Sequence, residues 1–340
     1  MGLQAATPAL RRSVSSVGGV LRYAVHDWTR EMSPVRRFTT MLGLLLQGYA
    51  FYALWTRSLV WPMIWPRGPL LYAIIWLLYM AGYVVINVML TSEFVRKTQL
   101  ESDLVAAQQI QRTLHPDGIE PVAGYQFESY YKPFRGVGGD YFDVLDLGSN
   151  RTLLALADVS GKGMPAALLA SNIQALVRST ADTEPDVTKL ASRINLHLSR
   201  YTPGDRFATA IFIVLSWESG ELTYVNAGHN PAMVCGSGPT RLLESTGLPL
   251  GLFSTVKFES RTANLNEGDV LLAFTDGLPD SISGDTSEVR LRDAVNGDLE
   301  TSLANLKRLV DPGLNEDDIT VLLVKRLQSK ESDQASGMNA

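Results

Sequence analysis

The sequence has very little cysteine or histidine. A single cysteine, Cys235, excludes a disulfide-stapled scaffold and any multi-cysteine zinc or iron–sulfur site. Four histidines in 340 residues argue against a histidine-rich metal centre. Charge is sparse, at 19% of residues, and unevenly placed. Residues 1–99 hold ten Lys/Arg against three Asp/Glu, whereas residues 100–340 hold twenty against thirty-two. The acidic body therefore speaks against nucleic-acid binding.

What the front of the chain has in quantity is apolar sequence. Phe38–Trp55 runs for eighteen residues without a charge and Leu70–Leu90 for twenty-one. A helix rises about 1.5 Å per residue and a bilayer core is about 30 Å thick, so the second run spans it and the first just reaches. Arg11, Arg12, Arg22, Arg30, Arg36 and Arg37 precede the first run, and Arg96 and Lys97 follow the second. The loop between has only Arg57 and Arg67, with Trp61 and Trp65 suited to a headgroup interface. The positive-inside rule then predicts a two-helix hairpin in the cytoplasmic membrane with both ends in the cytoplasm.

Ser92–His115 reads as a connector helix. Leu100, Leu104, Ala107, Gln111 and Leu114 fall at 4-3-4-3 spacing, which suits a homodimer seam or an ordinary surface helix. Pro116-Asp117-Gly118 ends it. The expected domains are a basic segment at 1–37, a transmembrane hairpin at 38–91, a connector at 92–116, a catalytic body at 117–327 and a polar tail at 328–340.

In the body the pattern turns to short strands. The expected strands are Tyr125–Tyr131, Tyr141–Leu147, Thr152–Val159, Phe207–Trp217, Glu221–Asn226, Ala232–Cys235, Val270–Thr275 and Ile319–Lys325. Helical patterns lie at Pro165–Thr180, Asp186–Tyr201 and Leu299–Leu309. Strands in runs and helices in pairs indicate an α+β fold with antiparallel sheets.

Four places set aspartate beside glycine or a strand end: Gly138-Gly139-Asp140, Asp158-Val159-Ser160-Gly161, Thr275-Asp276-Gly277 and Asp317-Asp318-Ile319. Each alone suits a turn as well as a ligand. Together they suit an oxygen-ligated Mg²⁺ or Mn²⁺ site, because carboxylates gathered from several strand ends repel one another unless cations neutralise them.

In order, AQQIQRTLHP, VGGDYFDV, ADVSGKGMPAALLAS, FATAIFIV, NAGHNPAMV, GLPLGL, GDVLLAFTDGL and DDITVLLV resemble the SpoIIE/RsbU-type branch of the metal-dependent (PPM) protein serine/threonine phosphatases. The resemblance covers roughly 104–326. It implies an α-β-β-α sandwich of two antiparallel sheets, with two Mn²⁺ or Mg²⁺ ions at one edge. It implies that Asp158 bridges the metals, that the Val159 carbonyl lies beside it, and that Asp276 and Asp317 hold the second ion. Asp140 would lie near the first ion and Arg135 would bind substrate phosphate. A histidine found in some members two residues after the bridging aspartate is Ser160 here, which leaves the general acid open. His229 is expected to be structural.

The resemblance further implies a phosphorylated anti-sigma-factor antagonist (a STAS-domain protein) as substrate. The rival class is a membrane signalling scaffold with a degenerate phosphatase fold. Because no sensor domain is evident, the connector helix is expected to carry the signal to the helix beginning near Met164.

Overall fold

The computed structural model describes residues 42–49, 51–53, 56, 69–114, 116, 122–134, 136–181, 186–202, 206–283, 287–295 and 297–328. The chain divides into two units, Met1–Ser102 and Asp103–Ala340. Arg135, the basic segment 1–37 and all of the tail beyond Gln328 lie outside the described residues, as does most of the loop between the apolar runs.

In the first unit, residues 42–49 are helical and α1 begins at Pro69. A Cβ placed on Gly43 would meet Ile86 at 3.1 Å, and one on Gly82 would lie 3.9 Å from the Gly43 carbonyl. Two glycines therefore let these helices approach closely, as small residues do between membrane helices. Among the described residues, one helix is long and apolar enough to cross a membrane. This helix runs on through the expected junction of hairpin and connector at 91–92. α1 continues unbroken from Pro69 to Leu114, 46 residues, because no glycine or proline interrupts the stretch from Val84 to Leu114.

Among its described residues the second unit holds ten strands: β1 Tyr125–Lys132, β2 Asp140–Gly148, β3 Arg151–Val159, β4 Ala208–Ser216, β5 Glu221–Ala227, β6 Ala232–Cys235, β7 Arg241–Leu243, β8 Arg261–Asn264, β9 Val270–Phe274 and β10 Ile319–Arg326. Its helices are α2 Met164–Ala181, α3 Val187–Tyr201, α4 Gly277–Asp280, α5 Ser287–Ala294 and α6 Leu299–Leu309. Every strand pair is antiparallel, in two five-stranded sheets ordered β1-β10-β9-β6-β7 and β2-β3-β4-β5-β8.

Side-chain alternation along the central strands explains the four layers. On β3, Leu154 and Leu156 join Ile211, Ile213, Leu271 and Leu322 in a core between the sheets. Leu153, Ala155 and Ala157 turn the other way and pack with Ile173, Val177, Leu190 and Ile194 of α2 and α3. The second sheet does the same, sending Leu272, Val321 and Leu323 toward Leu291, Leu303 and Leu306 of α5 and α6. Both faces of these strands are covered, so they read as continuous apolar runs. Helix ends are fixed locally. Asp186 accepts from the Thr188 amide at 2.8 Å, and Asp298 accepts from the Thr301 amide at 2.7 Å.

β7, β8, α4 and α5 are the elements not expected from sequence. β7 has three residues, and β8, with the sequence RTAN, is a mostly exposed edge lacking apolar alternation. The ends of β2, β3, β9 and β10 meet at one edge of the sandwich, where the site lies.

Candidate metal and phosphate site

Asp140 opens β2 and lies opposite Asp158, near the end of β3, across the strand pair. On its other side Asp158 faces Thr209 of β4. Asp276 follows β9 and Asp317 precedes β10, and these strands are hydrogen-bonded neighbours. Hence the two sheets bring all four expected aspartates to one edge.

Threonine side chains join the sheets there. Thr275 Oγ1 donates to Asp140 Oδ2 at 2.8 Å, and Thr320 Oγ1 donates to the same oxygen at 2.5 Å. The Thr320 amide donates to Thr275 Oγ1 at 3.0 Å, and the Thr275 amide to the Thr320 carbonyl at 3.1 Å. Asp140 is buried and oriented by this clamp. Asp318 has a different duty from Asp317. Its Oδ1 accepts from the Phe134 amide at 2.7 Å, and its Oδ2 accepts from the Gly139 amide at 2.6 Å. Asp317 is partly exposed and pairs with Lys162 Nζ at 2.8 Å. That ammonium also donates to the Glu316 carbonyl at 2.6 Å.

The loop ahead of Asp140 needs glycine. A Cβ on Gly138 would sit 2.6 Å from Asp318 Oδ2, so any side chain would displace the carboxylate. The same residue is held from α1: Gln111 Nε2 donates to the Gly138 carbonyl at 2.7 Å, and the Gly138 amide donates to Gln111 Oε1 at 3.0 Å. Gln111 is buried, so this member of the 4-3-4-3 spacing is spent on the loop before β2. The connector's end thus contacts the loop before Asp140 through Gln111. Gln111 is a polar residue on an apolar seam, which is the signal that it has a specific partner.

The electrostatics follow from the crowding of acids. Burial, followed by the charges of Asp276, Asp317 and Asp318, pushes the Asp158 carboxyl up to about 7. Burial and then Asp158 raise Asp140 well above the carboxylate range, against the pull of both threonine hydroxyls. Asp276 is raised by burial and by Asp317. Asp318 is raised by burial, opposed by its two amide bonds.

Among the described residues, no three Asp, Glu, His or Cys side chains are already gathered at ligating spacing. The fit to a cation lies in the donor chemistry. The available groups are all oxygens, they are drawn from rigid strand ends, and they disfavour one another's ionisation. That is the environment a divalent ion relieves, and it suits Mg²⁺ or Mn²⁺.

Ser160 and His229 have structural positions. Ser160 Oγ accepts from the Phe207 amide at 2.9 Å, while the Ser160 amide donates back to the Phe207 carbonyl at 2.9 Å. His229 is buried, with Nδ1 2.8 Å from Thr209 Oγ1, and burial lowers its imidazole to about 4. It is neutral at neutral pH and bonded to the residue opposite Asp158. Sequence alone assigns no role in the site to Thr275, Thr320, Asp318 or Gln111. A hydroxyl at the end of an otherwise apolar strand is the available signal for the two threonines.

The family model for Stage II sporulation protein E (SpoIIE) matches residues 148–327. The chain is 27% identical over 221 residues to phosphoserine phosphatase RsbP of Bacillus subtilis, covering 63% of this chain and 53% of that protein. The chain spans about half the length of the curated relatives it matches. Among solved structures, the RsbU and RsbW domains of Rv1364c from Mycobacterium tuberculosis are 28% identical, cover 61% of this chain and 62% of that one, and superpose with a TM-score of 0.53. The SiaA-PP2C domain of Pseudomonas aeruginosa is 19% identical, covers 68% of this chain and 99% of that one, and gives a TM-score of 0.58. The two antiparallel sheets, their flanking helices and the matched family model lead to one conclusion: this chain is a member of the SpoIIE family, built on a PP2C-type fold.

Proposed function

We propose that the chain is a membrane-anchored, metal-dependent protein serine/threonine phosphatase. The observation that carries this reading is the meeting of Asp140, Asp158, Asp276 and Asp317 at one sheet edge, with Asp158 pushed up to about 7. Asp158, with the Val159 carbonyl, would hold two Mn²⁺ or Mg²⁺ ions, Asp276 and Asp317 would complete the second, and Asp140 would support the first. When bound, such ions supply a nucleophilic water near neutral pH and offset charge on the phosphoryl oxygens.

The chain's own residues prepare that chemistry. The Thr275 and Thr320 hydroxyls fix the rotamer of Asp140. The Asp318 carboxylate holds the Gly139 amide and so sets where β2 begins. Lys162 neutralises Asp317 from the solvent side, and its salt bridge leaves that carboxylate reachable. The substrate reading is a phosphoserine or phosphothreonine of a STAS-domain anti-sigma-factor antagonist, in keeping with the matched family and with RsbP being a phosphoserine phosphatase.

Anchoring through a hairpin at residues 38–91 is supported by the apolar length of α1 and by the close approach at Gly43. The catalytic unit would then face the cytoplasm. Dimerisation through 92–115 would use Leu100 and Leu104, which α1 exposes, while Gln111 stays with Gly138.

The test is hydrolysis of p-nitrophenyl phosphate and of phosphorylated STAS proteins with saturating Mn²⁺. Asp158→Asn and Asp276→Asn are each expected to lower the rate by at least about two decades, the scale on which a lost metal activation is felt. Full activity in either variant would refute the ligand assignment.

A further inference from the structure

The site just described is rich in carboxylates, yet its proposed substrate arrives as a phosphate dianion. A cation beside the loop after Asp158 would offset that repulsion. Lys162 belongs to the loop Ser160–Gly163, and Arg206 Nη1 reaches it from β4's side, 3.8 Å from where a Cβ on Gly161 would stand. Lys162 is committed to Asp317 and to the Glu316 carbonyl. Arg206 is not. Its guanidinium makes no hydrogen bond or ion pair among the described residues, although the residue is half-buried.

The geometry around Arg206 is built rather than loose. The next residue, Phe207, exchanges two hydrogen bonds with Ser160, both 2.9 Å. On the other side, the Arg206 carbonyl lies 3.7 Å from where a Cβ on Gly251 would be. Gly251 is itself fixed, its amide donating to the buried Asn195 Oδ1 at 2.8 Å. The backbone of Arg206 is thus held between the Asp158 loop and the Gly247–Phe253 loop. A fixed backbone limits how far the Arg206 side chain can swing, so its guanidinium stays near the loop after Asp158.

The space beside Gly161 is open apart from Arg206. A Cβ on Gly161 would meet one heavy atom within 4 Å, Arg206 Nη1 at 3.8 Å. Gly161 has φ +95°, a conformation an L side chain rarely adopts, and Gly163 follows at φ +76°. Amides in turns of this kind form anion-binding concavities. The same loop opens α2, whose first turn carries no acidic residue to neutralise its positive end. Three features that favour an anion therefore meet three residues after Asp158.

We propose that Arg206 binds a non-bridging oxygen of the substrate's phosphoryl group, across the space in front of Gly161. The inference rests on the phosphatase reading and names a substrate-binding residue for it, separate from Arg135. A planar guanidinium donates two parallel hydrogen bonds to a phosphoryl group, which an ammonium cannot do, so lysine is an imperfect replacement.

The test uses the full-length chain in mild detergent with saturating Mn²⁺. Arg206→Gln and Arg206→Lys are compared with wild type for KM and kcat on p-nitrophenyl phosphate and for inhibition by inorganic phosphate. Binding of inorganic phosphate is measured separately by calorimetry, so that the comparison stands even without turnover. Arg206→Gln is expected to raise KM and the phosphate inhibition constant about tenfold, with kcat changed far less, and Arg206→Lys to recover part of the loss. The Mn²⁺ activation midpoint should stay put, which a merely structural role would not ensure. Phosphate affinity within twofold of wild type in Arg206→Gln would overturn the proposal, as would a wild-type protein that binds no phosphate. A wild type that binds phosphate through Arg206 yet hydrolyses nothing would instead count against the phosphatase reading alone.

Discussion

Asp158→Asn should change how the metal-free protein responds to pH. In the folded chain the Asp158 carboxyl is pushed up to about 7, from an ordinary value of 3.8. A folded value above the unfolded one means that the contribution is fully present below about pH 4 and is lost as pH rises through about 7. A tenfold change in proton affinity is worth about 1.4 kcal/mol, so the loss across that window is on the order of 4 kcal/mol. At roughly 2–4 °C per kcal/mol for a domain of this size, it corresponds to a fall in melting temperature of about 10 °C. Asparagine keeps the shape and removes the charge, so this pH-dependent loss should shrink sharply. The assay is thermal unfolding in excess chelator from pH 4.5 to 8, followed by repetition with Mn²⁺ at pH 7.5. Wild type should melt progressively lower than Asp158→Asn as pH rises, and Mn²⁺ should raise wild type far more than the variant. Parallel curves for the two proteins would refute the claim that Asp158 carries the strain of the acidic cluster.

Three further outcomes are expected. Thr320→Val should cost about 1–3 kcal/mol of stability, because a hydrogen bond to the buried Asp140 is lost, and should raise the Mn²⁺ concentration needed for half activation several-fold; unfolding and metal titration check both, and an unchanged midpoint would separate the clamp from metal binding. Inserting one alanine between Arg96 and Leu100 rotates the upstream helix by about 100° relative to the residues that hold Gly138, whereas seven nearly restore the phase. Activity should change with one residue and largely recover with seven, and equal activity across the series would make α1 a passive tether. Cysteine labelling should place Gly2 and Ala340 on one side of the membrane and Trp61 on the other; labelling of Trp61 and Ala340 sites from the same side would end the hairpin topology.

The sandwich was legible because its strands are apolar on both faces, as in LLALAD and DDITVLLV, with glycine or aspartate at their ends. The long helices were legible from periodicity. Short edge strands were not: RLL and RTAN bury little, and pairing with β6 and β5 defines them. The aspartates stood out by type and position, but their division of labour did not. Nothing local separates Asp317 from Asp318; only packing shows that one faces Lys162 and the other the Phe134 and Gly139 amides. Likewise Gln111 looks like an impurity on a dimer seam until its two bonds to Gly138 give it a partner. Arg206 carries no motif at all. Only the fold brings its Nη1 to within 3.8 Å of where a Cβ on Gly161 would stand, on a loop 45 residues earlier in the chain.

The most direct measurement is phosphate release from a phosphoserine STAS-domain protein of the same genome by the full-length chain. It is run with and without Mn²⁺, beside Asp276→Asn and beside p-nitrophenyl phosphate as a generic ester. Release should require Mn²⁺ and fall by at least about two decades in the variant, since Asp276 would hold one of the two ions. Failure of wild type with Mn²⁺ to release phosphate from either substrate, or release that persists in chelator, would contradict the metal-dependent phosphatase reading.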